Sequence, residues 1–412
     1  NFPLHSTNFT LHSPMNSPRW PYPVLRLRPG KETLLSKRHP WIFSGALAEP
    51  VPGPVVRIAD AWGNVLACGA ASSINPLAAR IFRFEDEPLD EQFFKARLES
   101  ALTLRRALGL DGDDLGCRWV FGEGDGLPGL VIDRYGPALC VQVGTAGLEA
   151  LRDTWFPVLQ NIAKQNGILT LVERSQAGRK DEGLEPVNRI LKGSLSGPII
   201  ISEGRVKLSV DLLKGQKTGF FLDQRELRLI LGRISNGKRV LNAFGYTGGA
   251  SIHAGLGGAV EVTTLDISAA ALDVCERDWI TNGLDPGRHI RLQGDAFELM
   301  RRLTPGYFDC VVVDPPAFAK QRKDIPSAFK AYKDVFRLGA RATAPGGTLF
   351  CFSCSQHMDK PRFQEAVWTA CLEAGREAQV IAHLHQPSDH PYGLNYPEGL
   401  YLKGVWLRML EC

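Results

Sequence analysis

An α/β fold with an open, doubly wound sheet is predicted for the carboxy-terminal half of the chain, preceded by a small β-rich unit and a central α+β unit. Three observations predict it. From about Gly204 onward, short apolar runs alternate with helix-length segments. Two of these runs, Val311-Val312-Val313-Asp314-Pro315-Pro316 and Leu349-Phe350-Cys351-Phe352-Ser353-Cys354-Ser355, end in chemically active residues. Buried parallel strands deliver side chains to the carboxyl edge of a sheet in this way. The length of 412 residues also exceeds what one core normally organises.

In chain order, residues 1–22 are expected to form a leader. The first fourteen contain no Met, Lys or Arg and no sustained apolar core, so they fit neither a secretory signal nor an Arg-rich transit peptide. They read as a tag remnant, with Met15 as the natural start. Residues 23–97 are expected to be the β-rich unit, with runs such as Val55-Val56-Arg57-Ile58 and Val65-Leu66-Ala67-Cys68 broken by Gly, Pro and Asn turns. Its amino end is locally basic: Arg19, Arg26, Arg28, Lys31, Lys37 and Arg38 face only Glu32, interleaved with Trp20, Tyr22, Trp41 and Phe43. That mixture suits phosphates and stacked bases, the alternative being a solvated strand surface with core aromatics. Between Glu91 and Leu110 the spacing of Phe94, Leu98, Ala101 and Leu102 predicts a helix.

Residues 98–203 are expected to be the α+β unit, with hairpins over Arg118–Val143, a helix near Leu148–Lys164 and a strand at Leu169–Glu173. Its turn Gly122-Glu123-Gly124-Asp125-Gly126 lacks the further ligands that calcium or zinc requires, so no metal site is expected. Residues 204–412 are the doubly wound part, with strands at Val240–Phe244, Val260–Leu265, His289–Leu292, Cys310–Val313, Thr348–Phe352 and Ala378–His383.

Composition excludes some classes. Apolar content of 44% with 22% charged residues is ordinary for a soluble chain, and no stretch approaches the roughly 20 apolar residues needed to span a bilayer. Nine cysteines without regular spacing argue for reduced thiols in a cytoplasmic setting rather than a disulfide framework. The net charge of +4 is mild.

The strand Val240–Phe244 runs into Gly245-Tyr246-Thr247-Gly248-Gly249 and a helix, a turn that brings backbone close to a ligand. About 20 residues on, the next strand ends in Asp266, where nucleotide sites hydrogen-bond ribose hydroxyls. The glycine pattern is not G-x-G-x-x-G and the loop has no Lys for phosphates, which leaves S-adenosylmethionine, a nucleoside without phosphate, as the better fit. Asp295 closes a third strand, positioned either to accept from an adenine amino group or to cap a helix.

The chemistry is read from Asp314 and Cys354. Carbon-5 of cytosine is a poor nucleophile until a thiolate adds at carbon-6, so Cys354 is the expected nucleophile and Asp314 the acid placed against the ring nitrogen and amino group of the base. Cys351 lies three residues away and therefore on the opposite face of a strand, which opposes a C-x-x-C redox or zinc pair.

Several longer stretches carry a resemblance: Leu213 to Arg225 (LKGQKTGFFLDQR), Asn242 to Gly249 (NAFGYTGG), Asp314 to Lys320 (DPPAFAK), Phe352 to Ser355 (FSCS) and Tyr396 to Gly404 (YPEGLYLKG). They resemble the bacterial 23S ribosomal RNA cytosine-5 methyltransferases, whose PUA RNA-binding domain is resembled by Leu35 to Gly45 (LSKRHPWIFSG). The resemblance implies a Rossmann-like class I methyltransferase domain behind a PUA-like and a central domain. It implies that Phe220, Asp223, Gln224, the loop Phe244, Gly245, Tyr246, Thr247 and Gly248, Asp266, Asp295 and Asp314 surround S-adenosylmethionine or the target base, with Asn242, Ile267 and Ala296 beside them. Cys354 would attack the ring. Partners implied are 23S ribosomal RNA or a large-subunit assembly intermediate, with a homodimer as a further expectation. Many RNA cytosine-5 enzymes carry a second cysteine after the proline of the fourth-strand motif; this chain has Ala317-Phe318 there, so the base that removes the carbon-5 proton is unassigned. Competing readings are an rRNA guanine or adenine N-methyltransferase of the same fold, which needs no thiol, a non-catalytic ribosome-assembly protein that binds RNA, and an NAD-dependent dehydrogenase.

Overall fold

The computed structural model describes residues 21–176, 178–319 and 321–410. The expected leader with Met15, and Arg19 and Trp20 of the basic cluster, lie outside the described residues. Strands β1 (Val24–Arg26), β2 (Trp41–Phe43), β3 (Val55–Ala59), β4 (Val65–Ala71) and β5 (Leu77–Arg83) form one sheet in the order β1-β3-β4-β5-β2, with the one-turn helix α1 (Thr33–Ser36) between the first two. Strands β4 and β5 approach so closely at Gly69 that a Cβ there would lie 2.2 Å from the Arg80 carbonyl oxygen. One face of the sheet buries Leu25, Ile42, Val56, Ile58 and Ile81 in its own core. The other lends Val55, Cys68, Ala70 and Phe82 to a core shared with the next unit.

Helix α2 (Glu91–Ala107) starts where the Asp90 carboxylate accepts from the Phe93 N–H at 2.8 Å. It buries Phe94, Leu98, Ala101 and Leu102 in that shared core, so it runs across the boundary expected between residues 97 and 98 and packs with the central unit. There β6 (Gly116–Phe121), β7 (Leu130–Tyr135), β8 (Ala138–Val143), β9 (Thr170–Ser175) and β10 (Val187–Lys192) line up in the order β10-β9-β8-β7-β6. The parallel pair β8 and β9 is joined through α3 (Ala146–Ala150) and α4 (Arg152–Gln165), so the helix expected over Leu148–Lys164 is two helices meeting at Leu151. In the acidic glycine turn, Asp125 pairs with the buried Arg105 at 2.6 Å. Among the described residues no cluster of His, Cys, Asp and Glu could hold a metal ion.

The hairpin β11 (Ile199–Glu203) and β12 (Val206–Val210) turns through Gly204, at the position expected to separate two domains. Its Ile201, Leu208 and Val210 share a core with Val240, Val262 and Val312, which ties it to the third sheet. That sheet contains β13 (Arg239–Ala243), β14 (Glu261–Asp266), β15 (His289–Gln293), β16 (Phe308–Val313), β17 (Thr343–Ser353), β18 (Ala378–Leu384) and β19 (Lys403–Met409) in the order β15-β14-β13-β16-β17-β19-β18. The first five are mutually parallel and β19, a strand the sequence pattern did not reveal, enters antiparallel between β17 and β18.

Both faces of this sheet are covered. Helices α5 (Arg225–Ile234), α6 (Gly249–Leu256) and α7 (Ala269–Thr281) pack Leu227, Ile252 and Trp279 against Val312 and Phe350. On the other face α8 (Ala296–Arg302), α9 (Ile325–Ala342) and α10 (Lys360–Glu373) pack Met300, Phe336 and Phe363 against Val311, Val313 and Leu349. Because alternate residues of β16 enter different cores, the strand reads as an unbroken apolar run. Among the described residues no helix is long and apolar enough to cross a membrane.

Candidate active site

The carboxyl ends of β13, β14, β16 and β17 open on a cavity of about 240 Å³. At one end β13 passes into a loop with left-handed backbone at Phe244 (φ 59°) and Tyr246 (φ 49°). Bulky residues rarely adopt this conformation, and such strain concentrates at ligand sites. The loop is held by Asp266 at the tip of β14, whose carboxylate accepts from the Tyr246 N–H at 2.8 Å and the Ser268 N–H at 2.9 Å. The Gly245 N–H donates to the Leu265 carbonyl at 3.0 Å. Gly248 (φ +72°) is the cap residue just before α6, and a Cβ there would sit 2.0 Å from the Cys275 sulfur. Asn242 points its amide to Ser251 Oγ at 2.9 Å, anchoring the strand end to the helix.

Phe244, Gly245, Tyr246, Thr247, Asp266 and Ile267 all line this end of the cavity, as do Asn242 and Phe220. Gly248, Asp295 and Ala296 do not line it. Asp295 is exposed and caps α8, accepting from the Glu298 N–H at 3.0 Å, while Ala296 is buried in the core beneath.

The other end gathers Asp223, Gln224, Asp314 and Cys354. Cys354 follows the last residue of β17 and is half-buried, whereas Cys351 is fully buried in the core. The turn after Cys354 is fixed by Ser355, whose hydroxyl bonds with Tyr332 Oη at 2.9 Å and accepts from the Ala319 N–H at 3.2 Å. Gln224 Nε2 donates to Asp314 Oδ2 at 2.7 Å. Burial and the neighbouring Asp223 push the Asp314 carboxyl up to about 7, against the Gln224 bond and the Lys217 charge. Burial likewise raises the Cys354 thiol, helped by Asp314 and Asp223 and opposed by Lys217. The resting thiol is therefore protonated, and its proton must leave as it attacks.

Asp223 accepts on Oδ2 from both Lys217 Nζ at 2.9 Å and Tyr401 Oη at 2.6 Å. Burial alone would raise its carboxyl, but the Lys217 charge and these bonds outweigh it and hold the group well below the ordinary carboxylate range. Lys217, itself left-handed (φ 52°), lines the cavity. Lys403 donates to the Ser355 and Tyr401 carbonyls at 2.8 and 2.7 Å, and burial lowers its ammonium to about 8 against the opposing influence of Cys354 and Asp359.

A family model described as S-adenosylmethionine-dependent methyltransferase matches residues 186–391, and a PUA-like domain model matches residues 25–84. The ribosomal RNA large subunit methyltransferase I of Shewanella amazonensis is 40% identical over 394 residues, covering 93% of this chain and 99% of that protein. The chain belongs to this methyltransferase family. The protein of the same description from Aeromonas hydrophila is 41% identical over 389 residues, covering 92% of this chain and 97% of its own. A solved S-adenosylmethionine-dependent methyltransferase from Streptococcus mutans, 21% identical, shares the fold over 94% of this chain and all of its own, with a TM-score of 0.81.

The residues present fit the methyl donor. Asp266 offers a carboxylate at the strand tip for ribose hydroxyls, and Phe244, Tyr246 and Ile267 offer apolar surface for a purine. Among the described residues the cations on the wall are Lys217 and Arg228, and both are already held by the carboxylates of Asp223 and Glu203, a lining better suited to a nucleoside without phosphate. Lys217, Tyr401 and Lys403 lie inside stretches that carried the family resemblance, yet no role could be read for them. Only the fold brings the segments around 217, 314, 354 and 401 together. A larger groove of about 1480 Å³, bounded by Trp41, Trp368 and Lys403, runs between β2 and the α10, β18, β19 edge. It holds none of the cleft acids and not Cys354; among the described residues only Leu402 lines both the groove and the cleft.

Proposed function

We propose that this methyltransferase transfers a methyl group to carbon-5 of a cytosine in the ribosomal RNA of the large subunit, through a covalent bond between Cys354 and carbon-6. The observation that carries the reading is that Cys354 and Asp314, at the ends of adjacent parallel strands, share one cavity with the Asp266 loop. S-adenosylmethionine, when bound, supplies an electrophilic methyl group. Asp314, raised to about 7, is available in its protonated form at neutral pH to hydrogen-bond ring nitrogen N3 and to neutralise the charge that gathers there as sulfur adds to carbon-6. Addition breaks the S–H bond, whose proton passes to solvent, and makes carbon-5 nucleophilic; once carbon-5 is methylated it gives up its proton to solvent, the sulfur departs as thiolate, N3 returns its proton to Asp314 and aromaticity is restored.

The locally basic PUA-like sheet, with exposed Arg26, Arg28, Lys31 and Arg38, supports RNA binding by backbone contacts. It is coupled to the catalytic domain where Trp41 packs edge-on against Tyr396 at 4.9 Å and His39 meets Glu398 at 3.3 Å. The relatives' descriptions as large-subunit ribosomal RNA methyltransferases support the substrate class. The test is to incubate large-subunit rRNA from cells lacking the protein with labelled S-adenosylmethionine, and to digest the product for mass spectrometry. Wild-type protein is expected to yield one 5-methylcytosine and Cys354→Ala none. An N-methylated purine, or full turnover by Cys354→Ala, would overturn the proposal.

A further inference from the structure

Asp223 is 5% exposed and lines the cleft beside Asp314 and Cys354. Its two oxygens differ. Oδ2 takes both available hydrogen bonds, from Lys217 and Tyr401, while Oδ1 is buried with no partner. An ionised oxygen left without a donor is costly, and such a group in a native cleft calls for a donor from outside the chain. We propose that Asp223 reads the exocyclic amino group of the target cytosine, accepting a hydrogen bond on Oδ1 while Asp314 faces N3.

The chemistry of the base explains why two acids are needed. The pairing edge of cytosine offers a donor at the N4 amino group and an acceptor at N3, and carboxylates accept from N4. An ionised carboxylate can only accept, whereas a protonated one can donate. The cleft provides one of each: Asp223 is held ionised by Lys217 and Tyr401, and Asp314, hydrogen-bonded by the neutral Gln224 amide and pushed by burial and Asp223 more than the Lys217 charge offsets, is raised. Uracil presents the reverse pattern, so its O4 would face the Asp223 carboxylate and its N3–H would compete with the Asp314 proton. Rejection by unmatched polar groups gives stronger discrimination than shape alone. Lys217 and Tyr401 act as positioning residues that fix Oδ2 and leave Oδ1 as the reading atom. Asp223, which the resemblance left between S-adenosylmethionine and the target base, is thereby assigned to the base end.

This inference rests on the cytosine carbon-5 reading and is tested within it. Synthetic rRNA fragments spanning the methylated position would carry cytosine, uracil or 2-pyrimidinone, the analogue that lacks the amino group, and kcat/KM would be measured for each. Wild-type protein should prefer cytosine over 2-pyrimidinone by about 10- to 100-fold, the range of a hydrogen bond to a charged group. Asp223→Asn should reduce that preference by at least half its logarithm, because its amide no longer presents an obligate acceptor, and should narrow the gap to uracil. Tyr401→Phe, which leaves Oδ1 untouched, should keep the cytosine preference whatever it does to the overall rate. An unchanged preference in Asp223→Asn, with methyl transfer to cytosine carbon-5 intact in the wild type, would overturn the role of Asp223 alone. Absence of carbon-5 methylation in the wild type would instead remove the underlying reading. Binding of S-adenosylhomocysteine by calorimetry confirms that each variant is folded.

Discussion

The junction between the central unit and the catalytic domain and the catalytic cleft both bury carboxylates, but they compensate them differently. At the junction each acid has an arginine: Arg105 with Asp125 at 2.6 Å, Arg118 with Asp133 at 2.8 Å, and Arg225 with Asp389 at 3.0 Å. Neighbours add to these pairs, with Thr218 Oγ1 donating to Asp133 at 2.6 Å and the Arg118 N–H to Asp389 at 3.0 Å. In the cleft, among the described residues, the Gln224 amide is the one hydrogen-bond donor to Asp314 and Asp223 keeps one oxygen unmatched. A cation beside every carboxylate fixes the orientation of two units, even though Arg225 Nη1 and His390 Nε2 are buried there without a hydrogen-bond partner. Incomplete pairing leaves donors and acceptors that a substrate can satisfy. Damage at the junction should therefore appear as lost stability, and damage in the cleft as lost activity.

The largest effect that would break this contrast is at Cys354. Cys354→Ala is expected to cost about 10³-fold or more in methyl transfer while shifting unfolding free energy by less than about 1 kcal/mol, as read by single-turnover assay and urea denaturation. Next comes Arg118→Ala, which leaves Asp133 buried opposite no cation. It should destabilise the fold by about 3–5 kcal/mol. A denaturation midpoint equal to that of the wild type would show that the junction pairs contribute no more than surface pairs do.

A third prediction concerns pH. The Asp314 carboxyl is raised from 3.8 to about 7 in the folded chain. Between those values the folded state holds a proton that the unfolded chain has released, so stability falls as pH rises through the window. The contribution is complete below the ordinary carboxylate range and lost above pH 7. Asp314→Asn removes this penalty. At pH 8 the variant should be more stable than the wild type by up to about 4 kcal/mol, with the advantage vanishing near pH 4 and catalysis impaired throughout. A pH-independent difference between the two would mean that Asp314 is ionised in the free protein.

How much of this contrast was legible in the chain differs between its two sides. The strands of the doubly wound sheet announced themselves because β13, β14 and β16 are covered on both faces and therefore read as apolar runs, and Asp266 and Asp314 at the ends of β14 and β16 marked the cleft. Strand β19 did not, since Lys403-Gly404 at its start and Arg408 near its end interrupt the run. The boundary at residue 97 was placed inside α2 because a helix following strands carries no sign of which sheet it will cover; Phe94 and Leu98 are settled by the shared core. The orphan oxygen of Asp223 was not readable either. Its partners, Lys217 and Tyr401, stand 6 and 178 residues away, and only the fold shows that they occupy one oxygen and spare the other.

The smallest predicted effect separates two acids that look alike in sequence. Asp266 and Asp295 both end strands of the same sheet, but Asp266 faces the cavity and ties down the left-handed loop, whereas Asp295 is exposed and caps α8. Asparagine serves as an N-cap about as well as aspartate, so Asp295→Asn should leave stability within about 0.5 kcal/mol of the wild type, while Asp295→Ala should cost about 1 kcal/mol. If Asp295 acts as a cap rather than as an adenine contact, Asp295→Asn should also bind S-adenosylhomocysteine nearly as the wild type does. Asp266→Asn, which replaces an acceptor-only group at the loop with an amide, should weaken that binding by about 10-fold or more. Calorimetric titration of the two variants ranks them directly. A larger loss in Asp295→Asn than in Asp266→Asn would reverse the assignment, making the exposed cap the residue that holds the nucleoside.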